Sequence, residues 1–284
     1  MGREPVQDLR MAGSMERAVV FPGQGSVGGE ISGAARESVL DYVGDGEVPY
    51  QLAVFANSID LLYRLRDTGI EAGVVAGHSL GEYAAAHAAG SLGLRDGVRL
   101  VAERDRLMNG ASKQNPGGMV ALIGADPNAV AETAERSGGA VVAANFNTPR
   151  QTVVSGRIAA LDEATENLRG RKVRLQVAGA FHSPLMAEAA GEMDGLLQEV
   201  EFSEPEIPMV GASDGKLLTT ADAVRGALRN QMLSPVRWVA VVERLLELGV
   251  REIFEAGEDG TLTRMLRDFK RKDVEGRVAR DVLS

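Results

Sequence analysis

Residues 72–89 have the sequence AGVVAGHSLGEYAAAHAA, in which a small apolar run is followed by Gly77-His78-Ser79-Leu80-Gly81 and an alanine-rich stretch. The apolar run predicts a buried strand, and the alanines favour a helix. A G-x-S-x-G pentapeptide between a strand and a helix is typical of a nucleophile elbow, which presents its serine at the N-terminus of the helix. The stretch therefore predicts an α/β fold in which Ser79 is a nucleophile and the Leu80 N–H stabilises an oxyanion. The alternative is a chance match in a glycine-rich chain.

A serine nucleophile needs a general base, and the chain contains three histidines. His78 is next to the nucleophile along the chain, so we expect its side chain to point elsewhere, and His87 lies within the alanine-rich helix. His182 lies in Ala180-Phe-His-Ser-Pro184, where a second unit of the chain returns to the first, and can face Ser79 across a cleft. We therefore predict His182 as the base, although a lone histidine is more often structural.

The overall composition is that of a soluble globular protein. The 284 residues are 44% hydrophobic and 25% charged, and no apolar run reaches the roughly 18 residues of a membrane span. The N-terminal segment 1–17 is too polar for a secretory signal and predicts a flexible tail. A net charge of −9 argues against nucleic acid as the main partner, and the absence of cysteine excludes disulfides and thiolate metal sites. We expect a cytoplasmic monomer without a metal site or a membrane contact.

On both sides of the elbow, the chain has the pattern of a large α/β domain. Ala18-Val-Val-Phe21 predicts a buried strand that leads into a glycine-rich loop, Pro22-Gly-Gln-Gly-Ser26. Apolar residues at three- and four-residue spacing predict an amphipathic helix over 51–65. The second half adds predicted helices over 185–200 and 236–248 and a buried strand over 252–255.

The segment 118–184 has a different pattern, a strand, a helix, two strands, a helix and a strand. The predicted bounds are 119–123, 127–137, 140–144, 151–155, 161–168 and 172–177, with a turn over 145–149. This βαββαβ order is that of a ferredoxin-like unit, in which two helices cover a four-stranded sheet. We therefore predict a small subdomain at 118–184, inserted into a large domain formed by 18–117 and 185–284.

Six motifs occur in the order found in one known family. They are Phe21-Pro-Gly-Gln-Gly-Ser26, Gly77-His-Ser-Leu-Gly-Glu-Tyr83, Val101-Ala-Glu-Arg104, Asn145-Phe-Asn147, Phe181-His-Ser-Pro184 and Gln231-Met-Leu-Ser-Pro-Val-Arg-Trp238. On these motifs the sequence resembles the malonyl-CoA:acyl carrier protein transacylases over nearly its whole length. The resemblance implies an α/β-hydrolase-like large domain with an inserted ferredoxin-like small subdomain, in agreement with the pattern above.

The resemblance also implies a role for each residue of the catalytic machinery. Ser79 would be the nucleophile and His182 the general base, with the N–H groups of Gln24 and Leu80 as the oxyanion hole. Gln231 would accept a hydrogen bond from the histidine and orient it, in place of the carboxylate of a Ser-His-Asp triad. A capping or core glutamine is the alternative at this position.

For the acyl group, the resemblance implies that Arg104 binds a free carboxylate through two hydrogen bonds, a geometry that suits guanidinium better than ammonium. The alternative is a solvated arginine on a charged helix. Leu80 and the bulky Phe181 resemble the malonyl-selecting members and leave little room for an α-branch. The residues that would line the pocket are Gln51, Met108, Asn147 and Phe181.

The activity implied is ping-pong transfer of a malonyl group from CoA, through an acyl-serine, to the phosphopantetheine thiol of an acyl carrier protein. No bound cofactor is needed, because malonyl-CoA is a substrate and the carrier brings its own phosphopantetheine. The acidic carrier would dock on basic residues, for which Arg171, Lys172 and Arg174 or the run 264–272 are candidates. Solvated charges are the alternative for both groups.

The sequence departs from the family at two places. The segment between Gly25 and Gln51 is shorter than in typical members, which predicts that a helix is missing. The segment Glu255-Ala-Gly-Glu-Asp-Gly260 lacks the usual Gly-Pro-Gly. These departures leave open a specialised, trans-acting acyltransferase of a polyketide pathway that uses another acyl unit.

Two other classes of protein remain as alternatives. A serine hydrolase with the same elbow needs an acid between Ser79 and His182 in chain order, and Asp126, Asp162 and Glu163 are the candidates. A non-catalytic module that binds carrier proteins would keep the fold but have an unreactive serine.

Overall fold

The computed structural model describes residues 15–25 and 31–284, and two β-sheets organise these residues. Most of the predicted tail, residues 1–14, lies outside them. The strands of both sheets are β1 (Arg17–Phe21), β2 (Val74–Gly77), β3 (Gly118–Ile123), β4 (Val141–Thr148), β5 (Gln151–Gly156), β6 (Arg171–Arg174), β7 (Met209–Val210), β8 (Leu217–Leu218), β9 (Glu252–Glu255) and β10 (Glu275–Val278).

Helices cover both sheets. Their bounds are α1 (Gly33–Val43), α2 (Tyr50–Asp67), α3 (Gly81–Ala88), α4 (Leu94–Gln114), α5 (Pro127–Arg136), α6 (Ile158–Thr165), α7 (Ala187–Gln198), α8 (Ala221–Asn230), α9 (Trp238–Glu247), α10 (Thr261–Met265) and α11 (Ala279–Leu283). Short 3₁₀ turns lie at Pro184–Met186 and Leu266–Phe269. No helix within the described ranges is long and apolar enough to cross a membrane.

The larger sheet has six strands in the order β10-β9-β1-β2-β7-β8. All neighbours are parallel except β7 and β8. The near-continuous apolar sequences of β1 and β2 fit this position, because helices cover both faces of a parallel sheet. The carboxyl ends of parallel strands meet at one edge, where Phe21 pairs with Gly77. The glycine-rich loop after β1 and the elbow after β2 therefore lie side by side.

The smaller sheet has four antiparallel strands in the order β4-β5-β3-β6. Alternate residues of β3 face opposite sides, as a strand requires. Val120 and Leu122 pack with residues of α5 and α6, whereas Met119 and Ala121 join the main hydrophobic core. The predicted α/β class and βαββαβ order are confirmed. The division of the chain into domains at 118 and 184 stays a prediction.

Several predicted boundaries were wrong. Residues 145–148 of the predicted turn belong to β4, because they continue its pairing with β5. A bridge to Val236 adds to this pairing, in which the Phe146 N–H donates to the Val236 carbonyl and the Val236 N–H donates to the Ala144 carbonyl, both at 2.8 Å. The same bridge holds Val236 in extended backbone, so α9 begins at Trp238 instead of 236. Helix α6 begins three residues before its predicted start, at Ile158.

The segment before Gln51 contains one helix, and the expectation that it lacks a helix found in typical members of the family stays a prediction. Helix α1 occupies Gly33–Val43 in that segment and buries Ala35 and Val39 in the main core. Residues 26–30, which precede it, lie outside the described residues. The segment is short, but it still provides a helical wall next to α2.

Candidate active site

The elbow turns so tightly that its two glycines have no room for a side chain. A Cβ on Gly77 would lie 2.1 Å from the Gly81 carbonyl carbon, and a Cβ on Gly81 would lie 2.1 Å from the Phe21 carbonyl oxygen. Between them, Ser79 has a φ of 51°, in the left-handed region that costs energy for a non-glycine residue. Strain of this kind is typical of a functional turn, and it places the Ser79 hydroxyl at the N-terminus of α3.

His182 lies on the other side of the Ser79 hydroxyl. The Ser79 Oγ is 2.8 Å from His182 Nε2, and His182 Nδ1 donates to the main-chain carbonyls of Gln231 at 2.8 Å and Ser234 at 3.0 Å. Two acceptors on Nδ1 fix the proton there and leave Nε2 free to accept. Burial, with a further contribution from the positive charge of Arg104, lowers the pKa of His182 to about 4. The imidazole is therefore neutral at physiological pH, as a general base must be.

Arg104 approaches the nucleophile from inside the protein. Its side chain is 0% exposed on α4, and its Nη2 donates to Ser79 Oγ at 3.2 Å. The Nη1 donates to the Gln51 side-chain oxygen, and the Nε donates to the Gln231 side-chain oxygen at 3.0 Å. Within residues 15–25 and 31–284, no carboxylate forms an ion pair with Arg104. Burying a guanidinium whose hydrogen-bond partners are all neutral costs free energy, because its charge is not compensated. An anion bound beside it would compensate that charge.

Gln231 contributes two different groups to the site. The resemblance implied that Gln231 accepts a hydrogen bond from His182, and in the structure the acceptor is its main-chain carbonyl, whereas its side-chain amide lies on Arg104. The amide nitrogen donates to Glu82 Oε2 at 3.0 Å and to the Ser79 carbonyl at 3.3 Å. Glu82 was missed by sequence reasoning. The signal was a carboxylate directly after the elbow, at the start of a helix made of small apolar residues.

A cavity of about 150 Å³ opens in front of Ser79 and His182. Gln24, Asn147 and Phe181 lie on its wall as predicted, together with residues of β3, β5 and α10. Gln51 and Met108, which were also predicted to line the pocket, are not on this wall. Gln51 contacts Arg104 and donates to the Met108 sulfur at 3.7 Å, so both lie behind the guanidinium.

The comparisons with known proteins agree with this geometry. The model of the acyl transferase domain family matches residues 44–282. A malonyl CoA-acyl carrier protein transacylase of Bacillus subtilis is 32% identical over 247 residues, which cover 83% of this chain and 78% of the relative. The chain belongs to the malonyl-CoA:acyl carrier protein transacylase family.

Solved structures of this transacylase family superpose closely on the chain. The malonyl-CoA:ACP transacylase of Synechocystis sp. PCC 6803 has a TM-score of 0.85 at 30% identity. The superposition covers 93% of this chain and 97% of the Synechocystis chain. A second neighbour is the structure of a type II polyketide acyl carrier protein in complex with its malonyl-transacylase. Its TM-score is 0.84 at 28% identity, and the superposition covers 93% of this chain and 95% of the matched chain. The resemblance found from the motifs is therefore confirmed.

The other two histidines of this transacylase family member, His78 and His87, form hydrogen bonds away from the Ser79 hydroxyl. His78 Nε2 is 2.9 Å from Asn147 Oδ1, and its ring packs on Trp238 with 5.5 Å between centroids. His87 bonds to the Tyr63 hydroxyl and the Leu92 carbonyl. His78 thus connects the elbow to β4, and neither ring competes with His182 for the Ser79 proton.

The acidic residues that could complete a hydrolase triad, Asp126, Asp162 and Glu163, do not contact His182. Asp126 accepts from the Asn128 N–H at the start of α5, and Asp162 forms an exposed ion pair with Arg174. Glu163 lies on a groove between α5 and α6. The Nδ1 of His182 instead meets two carbonyls, so the site in this transacylase family member has no triad carboxylate among the residues that the structure describes.

Proposed function

We propose that this chain transfers a malonyl group from CoA to the phosphopantetheine thiol of an acyl carrier protein through an acyl-serine on Ser79. One observation carries the proposal, the fully buried Arg104 that lies 3.2 Å from the Ser79 hydroxyl with neutral partners only. In a malonyl thioester, the carboxylate carbon is the third carbon from the sulfur. When the thioester carbonyl lies at Ser79, this carboxylate therefore lies within reach of the guanidinium. Relatives named as malonyl transacylases support the same assignment.

In the first half-reaction, His182 Nε2 takes the proton of Ser79 as the hydroxyl attacks the thioester carbonyl. The negative charge that develops on the carbonyl oxygen meets the N–H groups of Leu80 and Gln24. Leu80 is well placed for this role, because the first turn of α3 uses the N–H groups of Gly81 and Glu82 and leaves that of Leu80 unused among the described residues. The tetrahedral adduct then collapses, and His182 returns the proton to the departing CoA thiolate.

In the second half-reaction, the same groups act in reverse order. The phosphopantetheine thiol gives its proton to His182 and attacks the acyl-serine carbonyl. The Ser79 oxygen then leaves and regains the proton. The carboxylate is held throughout by the two Nη groups of Arg104, which exchange their present contacts with Gln51 and Ser79 for the substrate.

The carrier docks, in this proposal, on the basic run 264–272. The run begins beside the cavity, whose wall includes Thr261, Leu262 and Met265, and continues with Arg264, Arg267 and Lys270. Charge complementarity with an acidic carrier favours this surface. Both basic groups have some internal partners, such as Asp162 for Arg174 and Asp273 for Arg271, so the position of the run beside the cavity is what favours it. A cytoplasmic location and a monomeric state stay predictions of the sequence.

Intact-mass analysis after brief incubation with malonyl-CoA tests the proposal. Wild type should gain one malonyl mass, Ser79→Ala should gain none, and a holo carrier protein added afterwards should remove the adduct. Ser91→Ala is the matched control, because Ser91 is buried but outside the site. Release of free malonate at the same rate with and without carrier would favour the hydrolase, and a wild type that never loads would refute the transferase.

A further inference from the structure

Glu82 is a buried carboxylate that the reaction steps above do not use. It is 2% exposed on α3, three residues after the nucleophile. Its Oε1 accepts from the Ala212 N–H at 2.9 Å, and its Oε2 accepts from the Gln231 amide nitrogen at 3.0 Å. Its carboxylate forms no hydrogen bond or ion pair with Arg104, Ser79 or His182, and the one link to Ser79 is the helical bond from the Glu82 main-chain N–H to the Ser79 carbonyl. Burying a carboxylate is costly, and here burial raises its pKa to about 7.

The contacts of Glu82 decide which way the Gln231 amide points. An ionised carboxylate only accepts hydrogen bonds, so it requires the NH₂ end of the amide. The oxygen end then faces the Nε of Arg104, which only donates. With the amide reversed, an oxygen would face the carboxylate and an NH₂ group would face the guanidinium. Both contacts would be repulsive, so Glu82 and Arg104 together permit one orientation.

The bond to Nε determines which edge of Arg104 remains for the substrate. A guanidinium has one edge that contains Nε and another formed by its two Nη groups, and its plane is rigid. Gln231 occupies the Nε position, while the two Nη groups point toward Ser79 and Gln51. The Nη2 end of this edge therefore lies at the nucleophile and the Nη1 end at Gln51, and this is the edge left to form two parallel bonds to a carboxylate.

We propose that Glu82 is a positioning residue for acyl selection, which acts through the Gln231 amide to hold the Arg104 guanidinium with its Nη edge toward Ser79. The proposal rests on the proposed malonyl transfer, because the carboxylate of the acyl group is the ligand that Arg104 would bind. Glu82 touches neither the substrate nor the reacting atoms. Its effect is therefore on acyl groups that carry a carboxylate and not on acylation in general.

The Glu82→Gln variant tests this role with little change in volume. A glutamine keeps one acceptor and turns the other into a donor. If the donor faces Gln231, the amide of Gln231 must reverse and present its NH₂ group to Arg104. If it faces Ala212, two N–H groups oppose each other. Losing a hydrogen bond to a charged group costs about 1.5 kcal/mol or more, so the ratio of malonyl to acetyl loading should fall about tenfold.

The measurement compares single-turnover loading of Ser79 from malonyl-CoA and from acetyl-CoA, by intact mass, at about pH 8, where an acid of pKa about 7 is ionised. A general structural defect slows both donors equally and leaves the ratio unchanged. Gln231→Met provides a second variant, since it keeps the main-chain carbonyl on His182 and removes only the amide. Its ratio should fall as well.

The matched control is Glu255→Gln, which alters a carboxylate buried to a similar degree. Glu255 lies on β9, accepts from the Thr263 N–H, and has no contact with Arg104 or Gln231. Its malonyl-to-acetyl ratio should equal that of wild type. A ratio that is unchanged in Glu82→Gln overturns the proposal, and so does a ratio that falls equally in Glu255→Gln.

A readout that does not depend on turnover separates this inference from the proposed function. The ¹⁵N resonance of the Arg104 Nε–H, assigned by its loss in Arg104→Met, should exchange slowly in wild type and shift or exchange faster in Glu82→Gln. If wild type fails to load malonyl, the proposed function is wrong, while this resonance still decides whether Glu82 positions Arg104. An Nε–H signal that is unmoved in Glu82→Gln overturns the inference.

Discussion

Replacing Arg104 with methionine should separate acyl selection from acylation chemistry. Methionine is unbranched and fills much of the same space without a charge, so the fold of α4 is kept. In the variant, a malonyl carboxylate would be buried beside Ser79 without its partner. Acetyl has no carboxylate, and its methyl group would no longer lie against a buried charge. We therefore expect malonyl loading to fall steeply while acetyl loading is kept or increased.

The magnitude follows from the two bonds that the Nη edge would donate. Leaving one member of a buried ion pair without its partner costs about 3–5 kcal/mol, and each 1.4 kcal/mol corresponds to a tenfold change in rate. The malonyl-to-acetyl ratio should therefore fall on the order of 10²- to 10³-fold. Because Arg104 is 0% exposed, solvent screening does not reduce this figure much.

The assay is single-turnover formation of acyl-Ser79 from each CoA thioester, followed by intact mass. Arg106→Met is the matched control, because Arg106 lies on the same helix and its 61% exposed side chain forms only surface ion pairs, with Glu103 and Glu192. Exposed pairs of this kind contribute little, so the control should keep the wild-type ratio. Equal losses for malonyl and acetyl in Arg104→Met would refute the carboxylate clamp and leave Arg104 with a structural role.

Three further outcomes are expected. The rate constant of acylation from acetyl-CoA, which has no carboxylate for Arg104 and so does not depend on the ionisation of Glu82, should be constant from about pH 6 to 8 and fall as the pH approaches 4, because burial and the charge of Arg104 lower the pKa of His182 to about 4 and only the neutral ring accepts a proton; a fall centred near the ordinary histidine value of about 6.5 would contradict this. Phe181→Ala should raise methylmalonyl loading relative to malonyl loading, since the ring lies on the cavity wall, and an unchanged ratio would show that the branch is rejected elsewhere. Gly77→Ala should lower the free energy of unfolding by about 3 kcal/mol or more in a urea titration, because its Cβ meets backbone at 2.1 Å, and a midpoint equal to that of wild type would contradict the packing argument.

The parts of the site that the sequence predicts well are those whose geometry is local. The G-x-S-x-G turn is defined by five consecutive residues, so the strand, the turn and the helix around Ser79 follow from their order alone. His182 followed from elimination among three histidines, together with the argument for Ser79 and the family resemblance. The prediction of Ser79 needed only the residue types and their neighbours along the chain.

What the sequence could not provide are contacts between distant segments. Glu82 and Gln231 are separated by 149 positions, and no local pattern records that their side chains meet. The turn predicted over 145–149 was wrong in part for the same reason. Its Asn, Thr and Pro residues favour a turn, but pairing with β5 and the bridge from Asn145 to the distant Val236 continue the strand through Thr148.

The main-chain bridge between β4 and Val236 has a consequence for protein engineering. The residues just before Val236 supply the two carbonyls that hold the His182 ring. An exchange of 118–184 between relatives would therefore put a foreign strand against the host segment that orients the base. A chimera should therefore exchange the small sheet together with residues 231–236 as one unit. The His182 imidazole then keeps its hydrogen bonds to the carbonyls of Gln231 and Ser234.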